Sequence, residues 1–161
     1  MQVTEALSQS NIRFDEPVQS ILRGKPAKVW SIAPEASVYD AVEMMSDHQI
    51  GALTVTSGGI LLGIISERDY ARKVILRGRS SRQTMVQDIM TAPVLSVRPD
   101  TTIEECMRMI THRRVRHLPV LDERGELAAM ISIGDIVNWI ISSQGHTIKQ
   151  LSNYITGKYP A

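Results

Sequence analysis

Apolar side chains return along this chain at helical and at strand spacing. Val38, Ala41, Val42 and Met45 fall at i, i+3, i+4 and i+7, one buried helix face, behind Ser37 as N-cap with Asp40 at the third helical position. The same set returns 65 residues later as Ile103, Cys106, Met107 and Ile110, behind Thr102 with Glu105. Around these helices lie apolar runs of strand length: 28–32, 51–56 and 60–65 in the first half, 94–97, 118–120 and 127–131 in the second. Gly58-Gly59 marks a hairpin turn. Ser66 opens a helix whose buried stripe is expected at Tyr70, Ala71, Val74 and Ile75, with Gly78 ending it, and Ser132 opens its counterpart. A helical turn at 18–22 is echoed at 86–90.

The chain is therefore a tandem repeat. Each unit reads strand–helix–strand–strand–helix, which predicts an α/β (α+β) fold of two units packed as a pseudo-two-fold pair. Residues 17–80 make the first unit and 81–143 the second. An arm at 1–16 is expected to be flexible or loosely docked, and a tail at 144–161 to hold one short helix at 147–155. A unit this small cannot cover both faces of its own sheet, so the two are expected to pack sheet to sheet.

Composition narrows the class. Hydrophobic residues are 43% of the 161, enough for a core and too many for a disordered chain. Aromatics are only 4%, so aliphatic residues and eight methionines must fill that core. No apolar run approaches the ~20 residues of a membrane-spanning helix. The N-terminus lacks the basic start and apolar centre of a secretory signal, and a soluble cytoplasmic protein is expected. The net charge of +1 gives no general attraction for nucleic acid. Cys106, the one cysteine, lies on an apolar helical stripe and reads as a buried inert thiol. No paired metal-ligand spacing and no nucleophile beside a base can be read, so catalysis is not expected.

The remaining chemistry sits where strands meet helices. Gly63-Ile64-Ile65-Ser66-Glu67-Arg68-Asp69 and Ala129-Met130-Ile131-Ser132-Ile133-Gly134-Asp135 each end an apolar run in Ser-x-x-Asp. By spacing alone this is helix capping, because Ser37/Asp40 and Thr102/Glu105 share it. The position directly behind a strand adds a second reading. Unpaired N–H groups at a helix start favour a phosphate, and an aspartate one turn along accepts from two neighbouring hydroxyls, as a ribose presents. The densest basic run is His112-Arg113-Arg114-Val115-Arg116-His117. It reads as cations on a helix C-terminus, or as a phosphate or nucleic-acid patch; the lack of interleaved aromatics argues against base stacking.

These paired motifs, with Val115-Arg116-His117-Leu118-Pro119-Val120, resemble a tandem pair of CBS domains, and the chain looks like a stand-alone bacterial member of that family. The likeness covers roughly residues 18–143, a domain-sized stretch. It implies a non-catalytic regulatory module that binds an adenosine nucleotide (AMP, ADP, ATP or NAD) in clefts between the units and signals by conformational change. In such a pair the Asp of one unit faces the middle strand of the other. The first cleft then holds Ser66, Arg68, Asp69, Thr91, Val94, Arg116 and His117. The second holds Lys28, Val29, Gly51, Ala52, Ser132 and Asp135. Arg68 is matched by Gly134, and Arg116-His117 by Gly51-Ala52. The first cleft is thus the more cationic and is expected to hold phosphate more firmly. Ala129 stands where the family pattern has Gly, and its methyl is expected to crowd the second cleft. The resemblance also implies a flat homodimer and an effector protein that reads the change; by composition, a membrane is not expected as a partner and nucleic acid is disfavoured. Two other classes stay open: a structural protein–protein interaction module whose Ser and Asp only cap helices, and a nucleic-acid binder acting through residues 112–117.

Overall fold

The computed structural model describes residues 14–25 and 28–143; the arm before residue 14 and the expected tail helix at 147–155 lie outside the described residues. In chain order the elements are α1 (Gln19–Leu22), β1 (Ser31–Ile32), α2 (Val38–His48), β2 (Ala52–Ser57), β3 (Ile60–Ser66) and α3 (Glu67–Tyr70), which runs into a π-helical turn at Ala71–Ile75. Then come α4 (Val86–Ile89), α5 (Ile103–Arg113), β4 (His117–Leu121), β5 (Leu127–Ser132) and α6 (Ile133–Ser143). The fold is the expected mixture of helix and sheet, with two sheets and six α-helices among the described residues.

Helix starts follow the capping chemistry. The Asp40 N–H donates to Ser37 Oγ at 3.0 Å, and the Glu105 N–H to Thr102 Oγ1 at 3.1 Å. Both helices end on a left-handed residue, Gln49 at φ 52° and Arg114 at φ 53°, 65 positions apart. Gly58 and Gly59 both take positive φ (57° and 80°), as a two-residue hairpin between β2 and β3 requires.

Two strands are shorter than the pattern predicts, for different reasons. Of 28–32 only Ser31–Ile32 pairs with β2, in parallel, and the Thr54 N–H extends the contact to Trp30 O at 3.3 Å. In the second unit, Val97 alone bridges Val120. The residue matching Thr54 there is Pro119, which has no N–H to offer the preceding carbonyl, so the ladder stops. The stripe expected after Ser66 is also corrected. Val74 is buried and Tyr70 half-buried, but Ala71 and Ile75 are exposed. The π-turn, closed by the Leu76 N–H on Ala71 O at 3.1 Å, breaks the 3.6-residue period on which that stripe relied.

The two hydrophobic cores do not follow the order of the chain. Val86 and Ile89 of α4 pack with Val38, Met45, Leu53 and Ile65 of the first unit. Val18 and Ile21 around α1 pack with Ile103, Leu118, Ile131 and Ile136 of the second. Each leading helical turn thus completes the core of the other unit, and backbone bonds pin the crossings. Val18 N–H donates to Thr101 O and Val86 N–H to Ala36 O, both at 2.8 Å. The described end of the arm is docked as well, with Glu16 O and Phe14 O accepting from Ile103 and Glu104 at the start of α5, each at 2.9 Å. These crossings bring the C-terminal end of β5 opposite the N-terminal end of β2, where the site forms.

Candidate functional site

Both Ser-x-x-Asp motifs close a reciprocal capping box, which Ser37 and Thr102 do not. The Asp135 N–H donates to Ser132 Oγ at 3.1 Å while the Ser132 N–H donates to Asp135 Oδ2 at 2.7 Å. At the first motif the corresponding bonds are 3.1 and 3.0 Å, and Ser66 Oγ also donates to Asp69 Oδ2 at 3.0 Å. The box folds each carboxylate back over the start of its helix, at the point where strand becomes helix.

Beside Asp135 lies a cavity of about 560 Å³. The first unit lines it with Lys28, Val29, Trp30, Gln49 and the Ile50-Gly51-Ala52 backbone entering β2; the second unit supplies His117, Met130, Ser132 and Asp135. All six residues expected in the second cleft therefore share one space. Gly51 keeps it open: a Cβ there would lie 3.8 Å from His117 Cε1 and 3.9 Å from Nε2, in ordinary contact. Ala129 does not crowd it; that residue packs on the core of the second unit. A smaller hollow of about 280 Å³ beside Tyr39, Glu43 and Asp47 on α2 contains neither motif.

The sequence patterns did not single out Lys25. Its ammonium lies 2.5 Å from Asp135 Oδ2 and also donates to the Met130 carbonyl. Among the described residues, Asp135 Oδ1 has no donor. Burial pushes the Asp135 carboxyl up. The Lys25 hydrogen bond and the Ser132 N–H outweigh it and hold the group below its ordinary 3.8. His117 is held below its ordinary 6.5, first by burial, then by the Lys25 and Arg116 charges, with Asp135 opposing. The Lys25 and Lys28 side chains thus share the cavity with a carboxylate and, at neutral pH, a neutral imidazole. Lys28 Nζ sits 4.2 Å over the Trp30 ring, which in turn stacks on His48 at 3.4 Å.

The first motif is built differently. Asp69 Oδ1 accepts from Lys73 Nζ at 3.0 Å and Thr91 Oγ1 at 3.3 Å, so with the two bonds from Ser66 both oxygens are engaged. Thr91 also exchanges backbone bonds with Ile64 at 2.8 and 3.1 Å. Met90 Sδ and Thr91 O close over Gly63, 2.7 and 3.0 Å from where a Cβ would stand. Ser66, Asp69 and Thr91 are thus together as expected. Arg68 reaches the Arg114 carbonyl at 3.2 Å, Arg116 is exposed and Val94 half-buried. His117, expected with Asp69, faces the Asp135 cavity instead. Arg116, at a bend just before β4, is not among the residues that line the Asp135 cavity.

Among the described residues no group of three His, Cys, Asp or Glu side chains could hold a metal ion, and no helix is long and apolar enough to cross a membrane.

Comparison with known proteins adds to this geometry. The family model of the CBS domain matches twice, at residues 24–75 and 86–142. The mitochondrial CBS domain-containing protein CBSX3 of Arabidopsis thaliana is 43% identical over 128 residues, 76% of this chain; the match spans 62% of that protein's length, less than two thirds. The structure of a protein with CBS domains from Burkholderia ambifaria superposes with a TM-score of 0.77 at 46% identity, over 80% of this chain and 96% of that one. The CBS domain pair of protein MJ0100, solved in complex with 5'-methylthioadenosine and S-adenosyl-L-methionine, shares the fold at a TM-score of 0.68 and 22% identity, over 78% of this chain and 95% of that one.

Proposed function

The chain belongs to the CBS-domain family and carries the domain twice, and from that premise we propose that it is a non-catalytic sensor whose ligand is an adenosine nucleotide held in the cavity at Asp135. The observation that carries this reading is the cavity itself: about 560 Å³ of space between the two units, beside a carboxylate at a helix start. Asp135 Oδ1 is available to ribose hydroxyls. Ser132 and the first turn of α6 suit a phosphate, with Lys28 as counter-charge. Val29, Ile50 and Met130 give apolar walls for the base. The ligands of the MJ0100 pair, both adenosine compounds, favour this class over other nucleosides. AMP, ADP, ATP and NAD are the candidates. The sequence put more weight on the cleft at Asp69; the engaged oxygens there and the open cavity at Asp135 move that weight to the second motif.

Because each unit completes the core of the other, a ligand wedged between them bears on both, and a shift in their relation is the signal an effector protein reads. A second copy of the chain is the natural cover for α6, whose Ile133, Val137 and Ile141 are 46%, 46% and 49% exposed at four-residue spacing. The test is a thermal-shift panel of AMP, ADP, ATP, NAD and S-adenosylmethionine. At 100 times its dissociation constant a true ligand stabilises the fold by ~2.7 kcal/mol. A melting temperature unmoved by every member of the panel removes the sensing function.

A further inference from the structure

The two halves of the repeat join their leading turn to the next strand differently. Four residues, 90–93, join α4 to Val94; six, 23–28, join α1 to the equivalent Val29, and Lys25 lies in this longer connector. In the short connector, the Thr91 N–H bonds to Ile64 O in β3 at 2.8 Å, and the Ile64 N–H returns to Thr91 O at 3.1 Å. The residue of β5 that matches Ile64 is Met130, and its carbonyl accepts from the Lys25 ammonium. The same ammonium lies 2.5 Å from Asp135 Oδ2, where the first motif has Lys73 and Thr91 on Asp69. One lysine side chain thus does at the second motif what a backbone pair and two side chains do at the first.

The difference matters because a backbone pair is removed only by moving the chain, whereas a lysine leaves by rotating its own bonds. Its ammonium donates to the Met130 carbonyl and to Asp135 Oδ2, one of the two oxygens that a ribose diol would engage. Asp135 Oδ1 is open to one ribose hydroxyl, but a ribose that engages both carboxylate oxygens must break the Lys25–Asp135 pair, part-buried at 29% and 24% side-chain exposure, and an uncharged ligand then leaves the displaced ammonium with no new anion. A ligand with a phosphate offers the ammonium another partner within the same cavity.

We infer that Lys25 is an internal latch on Asp135 that selects phosphorylated nucleosides over neutral ones. The inference rests on the adenosine reading above and adds the discriminating residue. Lys25 is then a specificity-determining group whose contact with Asp135, and not only with the ligand, sets the preference.

The test is calorimetric titration of adenosine and of AMP into the wild-type protein, Lys25→Met and Lys25→Gln, after a melting curve has established that each variant is folded; the two substitutions guard against one of them failing to fold. The wild type is expected to bind AMP well ahead of adenosine. Either variant is expected to bind adenosine about fivefold tighter, a change of about 1 kcal/mol, and AMP no tighter, so that the preference shrinks. Adenosine binding unchanged or weakened in both folded variants overturns the latch, even if AMP binding falls, because that pattern describes a simple phosphate contact. A wild type that binds adenosine as well as AMP also overturns it. If neither compound nor any nucleotide of the panel binds, the inference falls together with the adenosine reading; if the wild type binds and the variants do not differ from it, the latch alone falls.

Discussion

Gly51→Leu separates the cavity from the fold. Gly51 is not among the positive-φ glycines, so an L side chain meets no backbone strain there. Its Cβ would lie 3.8 Å from the His117 ring, in ordinary contact, and the rest of an isobutyl group must then extend into the space beside Asp135. Replacing a glycine at a compatible backbone position removes unfolded-state entropy and is worth about 0.4–1 kcal/mol. For a chain of this size each kcal/mol moves the melting temperature by roughly 2–4 °C, so the ligand-free variant is expected to melt with the wild type or up to about 4 °C above it. The wild type with nucleotide at 100 times its dissociation constant gains ~2.7 kcal/mol, or about 5–11 °C, and the variant is expected to lose that gain. Differential scanning fluorimetry with and without the best ligand of the panel measures both quantities. A variant that stays folded and keeps the ligand-induced rise refutes the placement of the ligand between Gly51 and Asp135. A variant that melts well below the wild type refutes the packing argument instead.

Two further outcomes follow from the crossed cores and from the charge pattern. Ile89→Ala removes a side chain only 1% exposed and should cost about 2–5 kcal/mol; although Ile89 belongs to the second unit by its place in the chain, amide exchange is expected to accelerate in β2 and β3, and a loss confined to β4 and β5 would contradict the crossing. His117 in the ligand-free protein should titrate below 6.5. The unfolded chain then binds more protons than the folded one as pH falls below 6.5, so this contribution to stability is complete above that pH and is lost as pH drops through the folded pKa. Histidine-resolved NMR titration checks the midpoint, which Lys25→Met should raise by removing a neighbouring cation; a midpoint at or above 6.5 in the wild type would place His117 outside the charged cavity.

What the sequence determined by itself is local. Ser37, Ser66, Thr102 and Ser132 cap the starts of α2, α3, α5 and α6 because a hydroxyl and an N–H three residues on are neighbours in any helix that begins there. The hairpins, the stripes at Val38–Ala41–Met45 and Ile103–Cys106–Ile110, and the repeat offset are likewise written within a few residues, and the structure keeps them. The tertiary structure decided which unit each leading turn completes, because Val18 or Val86 is apolar enough for either core and only the crossing chain selects one. It also decided which aspartate stands open. Asp69 and Asp135 have the same local motif, but Asp69 meets Thr91 and Lys73 nearby in the chain while Asp135 meets Lys25 from 110 residues away. A contact of that separation leaves no periodic mark in the sequence, since it depends on how the two units pack rather than on the spacing within either.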